Sequence, residues 1–191
     1  MSVPEVVAVA LLVVIALAWH LSYTAARLDR LHGKVEGALS ALDAQLVRRA
    51  EATLELANSG ALDPASSLIL ADAATQSLEQ TNRHRLEDDP LDGQTFAGRE
   101  GCESNLSEAL TLALSPDLVA QLRQGTSAEL LERVAAAGMR VQLARRFHNE
   151  AVVETVRARR KPEVRALRLA GHAALPETVE FDDALPAGLR R

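Results

Sequence analysis

Two stretches of this chain carry side chains suited to binding or balancing charge: Asp43, Gln45, Arg48 and Arg49 in one, Arg145, Arg146 and Asn149 in the other. If both stretches are helical and pack together, these groups converge into a polar seam. Arginine forks bind phosphate or carboxylate in bidentate fashion, which makes the seam a candidate anion or small-molecule site. The competing reading, which we prefer, is an internal ion-pair network that fixes helix register, because buried charges must be paired.

Other chemistry is thin. The five histidines, His20, His32, His84, His148 and His172, show no i, i+4 pair and no cysteine or carboxylate set at ligand spacing, so a zinc site is not expected. His148 reads as filling a half-buried slot with one nitrogen hydrogen-bonded, a candidate pH switch. No serine or threonine has a nucleophile setting. Cys102 is the single cysteine, which excludes an internal disulfide and agrees with a reducing compartment. The net charge of −5 disfavours nucleic acid as a partner. Neither a cofactor nor an enzymatic activity is expected.

A second charged set lies at the ends of two expected helices: Arg27, Arg30 and Lys34 early, Arg157, Arg159, Arg160 and Lys161 late. If the helices run out, back, out and back, these cations meet in a basic collar at a membrane surface, where each contributes about 1 kcal/mol on anionic lipid. The plainer alternative is a solvated helix end whose cations suit the negative end of the dipole.

The elements that must position these groups begin with an apolar run. Fourteen residues from Val6 to Trp19 are all apolar, and no charge follows until Arg27. The uncharged window, Val6 to Ala26, is long enough as a helix to cross a hydrocarbon core of roughly 30 Å. Trp19 and Tyr23 suit the interfacial belt. A cleaved signal peptide fits less well, since the segment opens on Glu5 without a basic side chain and the apolar run continues past Ala16-Leu17-Ala18. Arg27, Arg30 and Lys34 then place the N-terminus outside and the body in the cytoplasm.

Beyond the anchor, the 3% aromatic content and the abundance of Ala and Leu favour packed helices. Leu28, Leu31, Val35, Ala38, Leu42, Leu46 and Leu56 recur at helical steps, so one helix continues from the membrane to Ala57. Gly33 and Gly37 mark a close helix contact or mere tolerance. Asn58-Ser59-Gly60 ends the helix, and Asp63-Pro64 starts a second that runs to about Thr81. Residues 83 to 102 lack periodicity and read as a long mobile connection. Order resumes at Ser104 or Asn105; Ser115-Pro116 starts a short helix that Gly125 ends. A capping box at Thr126 and Glu129 opens the last long helix, whose expected buried stripe is Leu130, Val134, Val141, Ala144, Phe147 and Ala151, ending at Pro162.

The fold class expected is therefore all-α: an N-terminal transmembrane helix continuing into an elongated antiparallel bundle of three to four helices. The anchor is 1–26, the bundle 27–162 and the tail 163–191. Within the tail, VRALRLAGHAAL from Val164 can face the membrane interface. The acidic PETVEFDD stretch, Pro176 to Asp183, is a partner motif or folds back onto the bundle, and Leu185 to Arg191 is expected to be disordered.

The stretches Val35 to Ala57, VEGALSALDAQLVRRAEATLELA, and Arg140 to Val152, RVQLARRFHNEAV, resemble the first and last conserved blocks of the LemA family. The segment ESNLSEALTLALSPDL is similar to its middle helix. The chain differs from the family pattern at Leu39, where an aromatic is usual, at Thr53-Leu54-Glu55, and at His148, where tyrosine is favoured. The resemblance implies a bacterial inner-membrane protein with a short exterior N-terminus, one transmembrane helix and a cytoplasmic bundle, without an established catalytic activity. The residues leave two expectations of function beside it: a membrane-tethered scaffold or adaptor for a protein partner or a second copy, or an anion- or small-molecule-binding regulatory module built on the seam. Residues 6–26 would contact the bilayer in either case.

Overall fold

A single helix, α1 (Val3–Asn58), carries the chain from its apolar start into the core of the body. Its 56 residues extend for ~84 Å at 1.5 Å per residue. Pro4 sits in the first turn, where its missing N–H breaks no intrahelical bond. The most apolar 18-residue window of α1 has none of its residues buried, and by length and composition this helix is able to cross a membrane. From Leu28 onward the same helix buries one stripe, Leu28, Leu31, Val35, Leu39, Leu42 and Leu46. An apolar cylinder thus becomes an amphipathic one without a break. The chain described here is a computed structural model, covering residues 3–83, 96, 98–167 and 174–190.

The remaining helices are α2 (Pro64–Arg83), α3 (Arg99–Ala113), α4 (Pro116–Gln124), α5 (Ala128–Arg159) and the short α6 (Pro162–Ala166), followed by a 3-10 turn at Ala187–Leu189. Among the described residues there is no strand, so the fold is all-α. Gly60, at φ 74°, closes α1 in the left-handed region where glycine is unstrained. Asp63 caps α2, its Oδ1 accepting from the amides of Ala65 at 3.0 Å and Ser66 at 3.1 Å. Hydrogen bonds from Ser66, side chain first and then backbone, hold the Asp63 carboxyl below the usual carboxylate range. Ser115 caps α4 by accepting from the Leu118 amide at 3.3 Å.

Two local expectations fail. The capping box is not formed: α5 starts after Ser127 with no side-chain cap, and Ser127 has φ −94° and ψ 8°. Phe147 is 55% exposed, because the buried arc of α5 runs instead through Leu131, Val134, Gly138, Val141, His148, Val152 and Thr155. That arc must face both α1 and the tail, which rotates it away from Phe147.

The ion pairs Lys34–Glu154 at 2.8 Å and Glu55–Arg133 at 2.6 Å show α1 and α5 running antiparallel. The core changes along this pair. Far from the apolar end, α1 and α5 are joined by α2, α3 and α4 around Leu56, Leu70, Leu106, Leu110 and Leu131. Midway, Leu39, Leu42, Leu46 and Val141 are covered by Val179 and Phe181 of the C-terminal segment. Nearest the apolar end, Val35 meets Ala151 and Val152. The C-terminal segment therefore folds back, and the expected disorder of Leu185 to Arg191 is corrected for residues 185–190, Arg191 lying outside the described residues: Leu185 and Leu189 are 6% and 1% exposed. Leu56, Leu42 and their neighbours are buried because apolar surface leaves water at about 25 cal/mol per Å², whichever element supplies the cover.

Candidate functional site

The densest group of polar side chains is buried between α1, α2 and α3. Helix α3 presents Arg99, Glu103 and Ser107 on one face at four-residue steps. Glu103 is fully buried and sits at the centre. Its Oε2 accepts from Arg49 Nη2 at 2.7 Å, and its Oε1 accepts from Ser77 Oγ at 2.8 Å and from Arg99 Nε at 3.3 Å. Arg49 Nη1 also donates to Ser107 Oγ at 3.0 Å. Arg99 completes the group, donating to Asp43 Oδ1 and, at 2.7 Å, to Thr81 Oγ1. Two guanidinium groups thus face two carboxylates. A carboxylate wholly out of water is tolerable only with such pairing and hydrogen bonding.

A second group lies where α5 meets the C-terminal segment. Arg145 Nε is 2.7 Å from Asp183 Oδ2, and its Nη1 is 3.3 Å from Glu180 Oε2. Asn149 reads the backbone of a single residue twice: its Oδ1 accepts from the Val179 amide at 2.9 Å, and its Nδ2 donates to the Val179 carbonyl at 3.1 Å. Phe181 stands between the two groups, and Ser107 touches both, accepting from Arg49 and donating to the Asp182 carbonyl at 2.6 Å. The Arg49 and Arg145 guanidinium carbons lie 5.9 Å and 5.5 Å from its ring centre, within cation–π range. Phe96 stacks on the same ring at 6.0 Å, and Arg99 lies 5.4 Å from the centre of Phe96.

The expected seam is thus divided. Asp43 and Arg49 join the buried group, whereas Arg145 and Asn149 join the tail group. Gln45 is half-buried, and its Oε1 has no hydrogen-bond partner among the described residues. Arg48 is exposed, and Arg146 bonds Glu150 on its own helix at 2.9 Å. Sequence reasoning missed Arg99, Glu103, Ser77 and Ser107, while Phe181 and Asp183 lay in the stretch read as a partner motif or as folding back onto the bundle. The available signal was the Arg99–Glu103 spacing, which straddled the end of the expected mobile connection. Residues 99 to 102 of that connection are helical, while most of the rest, with His84, lies outside the described residues.

The collar residues are also distributed. Arg27 and Lys161 line one cavity of about 140 Å³ with His20, Tyr23, Thr24 and Val164, so the end of α5 does return to the start of the bundle. Lys34 instead pairs with Glu154, and that hydrogen bond and charge hold the Glu154 carboxyl below its ordinary range. Arg159 donates to the Ala174 carbonyl at 2.6 Å. Arg157 and Arg160 line an open cleft with Pro176, Glu177 and Thr178, and Arg30 is exposed. Of the interfacial segment from Val164, only residues 164–167 and 174–175 are described; Val164 is buried and Leu167 exposed. His172 lies outside the described residues.

His148 is 2% exposed. Its Nε2 lies 3.4 Å from the Glu177 carbonyl, and its Nδ1 has no partner among the described residues. Burial pushes its pKa below the ordinary histidine value, outweighing backbone contacts with Glu177 and Val35. Among the described residues no group of three or more His, Cys, Asp or Glu is placed to hold a metal ion.

No protein-family model matches this sequence, and comparison with characterised proteins and with solved structures likewise returns no match.

Proposed function

We propose that this chain is a divergent member of the LemA family and acts as a membrane-anchored scaffold or adaptor, single-pass in a bacterial inner membrane with its N-terminus outside and its bundle in the cytoplasm. The observation that supports this reading is the continuity of α1: one unbroken helix contains both the exposed apolar window and the bundle stripe from Leu28. Such a rod holds the body at a fixed orientation to the bilayer, which suits recruitment. The buried arginines Arg49 and Arg99 already face Glu103 and Asp43, and that charge balance favours the scaffold over the anion-binding module.

Topology is tested in a Cys102→Ala background with single cysteines at Val3 and at the exposed Asp117. A membrane-impermeant thiol reagent should label position 3 in intact cells and position 117 only after permeabilisation. The reverse pattern sinks the orientation. Crosslinking in native membranes should then recover specific neighbours, whereas thermal stabilisation by a member of a metabolite panel would favour the ligand-binding module.

A further inference from the structure

The C-terminal segment is held as a bound peptide is held. Residues 174–186 carry no helix, and Val179 and Phe181 point into the bundle while Glu180 between them reaches outward to Arg145. That is the alternation of an extended chain, in which every second side chain shares a face. The bundle grips the main chain of this segment through side chains of α3 and α5. Asn149 takes both the amide and the carbonyl of Val179. Gln142 Nε2 donates to the Asp183 carbonyl at 2.7 Å, and Ser107 Oγ donates to the Asp182 carbonyl at 2.6 Å. The Asp182 amide donates to Ser104 Oγ at 3.1 Å. Contacts made to backbone in this way recognise any extended peptide; the side-chain pockets and charges then select among them.

Selection is legible in three places. The floor of the groove, Leu39, Leu42, Leu46 and Val141, takes an aliphatic residue and, two residues later, an aromatic ring set between Arg49 and Arg145. Arg145 takes a carboxylate from each side of that ring, Glu180 and Asp183. Further on, Gly138 makes room for Leu185: a Cβ at position 138 would come within 2.4 Å of Leu185 Cδ2.

We infer that the groove between α3 and α5 is a recognition site for an extended acidic peptide of a partner protein, with the pattern aliphatic, acid, aromatic, and a further acid two residues on, and that the chain's own C-terminal segment is its resident competitor. A short tether keeps that competitor at millimolar effective concentration, so a partner engages when it outcompetes or displaces the tail. The inference rests on the scaffold reading for the existence of a partner, but the groove is tested without one.

The test uses the full chain in nanodiscs with a protease site introduced between residues 168 and 173. After cleavage, a fluorescent peptide of residues 174–190 is added and followed by anisotropy. The peptide should exchange into the groove while the helical circular dichroism signal persists. Asn149→Ala should weaken binding at least tenfold. Peptides carrying Phe181→Ala, or Glu180→Gln with Asp183→Asn, should compete at least tenfold more weakly, and these peptide-side changes leave the protein itself intact. No exchange, or loss of helix as the tail departs, makes the segment an integral part of the core and overturns the inference. Equal competition by the neutral peptide removes the acidic selectivity. Dimers formed by mutual tail exchange in the uncut chain would make a second copy the occupant instead of a partner. A working groove with no crosslinked neighbour in native membranes would count against the scaffold reading alone.

Discussion

Phe181 has an arginine on either hand, and the two arginines live in different worlds. Arg49 is 3% exposed at the side chain and meets a wholly buried Glu103; Arg145 is 25% exposed and meets Glu180 and Asp183, which are 70% and 14% exposed. The chemistry of the two pairs is the same. What differs is the solvent, and solvent decides what each can do. On the buried side, each charge has lost its hydration and depends on its partners, so the cluster locks α1, α2 and α3 in one register. On the tail side, Arg145 and Glu180 keep part of their hydration, so the pairs contribute less and release more easily.

The comparison is most strongly tested at Glu103. Glu103→Ala leaves Arg49 and Arg99 facing each other without their shared carboxylate, and breaking a buried pair in this way costs about 3–5 kcal/mol. Chemical denaturation should show that loss in the midpoint, without a change of slope. A loss under 1 kcal/mol would mean that water reaches the cluster and the contrast is false. Phe181→Ala comes next, at about 3 kcal/mol, the lower end for a buried aromatic, since a segment held at its margin can lift away where a core helix cannot. Hydrogen exchange should rise along residues 174–190 and stay low in α1, and a rise across all helices would contradict the separation. Arg145→Ala should cost about 1.5 kcal/mol, the low end for hydrogen bonds to charged groups. If it matched Glu103→Ala, the two sides would be one network.

How much of this was legible in the sequence follows the same division. Helix α1, the start of α2 and the start of α4 each had local signals, an uninterrupted stripe, Asp63-Pro64 and Ser115-Pro116, and each is present. The start of α3 had none: Gly98 and Gly101 flank Arg99, and glycine disfavours a helix by about 1 kcal/mol against alanine. There the buried pairing of Arg99 and Glu103 with groups on α1 and α2, distant in sequence, replaces propensity. For the tail, the sequence left two alternatives open, a partner motif or a fold back onto the bundle, and for a different reason. Val179, Glu180, Phe181 and Asp182 alternate as a half-buried strand does, but no strand exists among the described residues to pair with them. The tail covers Leu39, Leu42, Leu46 and Val141 of α1 and α5 instead. The seam is divided because α1 and α5 do pack together, as the expectation required, but Phe181 of the tail stands between Asp43 and Arg49 on one side and Arg145 and Asn149 on the other.

The smallest effect separates the two sides by pH. His148 lies on the tail side, beside the Glu177 carbonyl, and burial holds its folded pKa below the ordinary value of 6.5. As pH falls through about 6.5, the unfolded chain binds a proton that the folded chain does not, so stability falls with acidification until the folded pKa is reached, and then levels. His148→Gln removes this dependence. His32 has its own pKa lowered, by burial first and then by Arg159, so the informative quantity is the stability of the wild type minus that of the variant, measured from about pH 7.5 to pH 5 across the range in which histidine titrates. That difference should decline toward acid. In the same series, hydrogen exchange should quicken first at residues 174–181 and last around Glu103. A flat difference would mean that His148 takes its proton equally well in the folded state, and that the tail side already admits water.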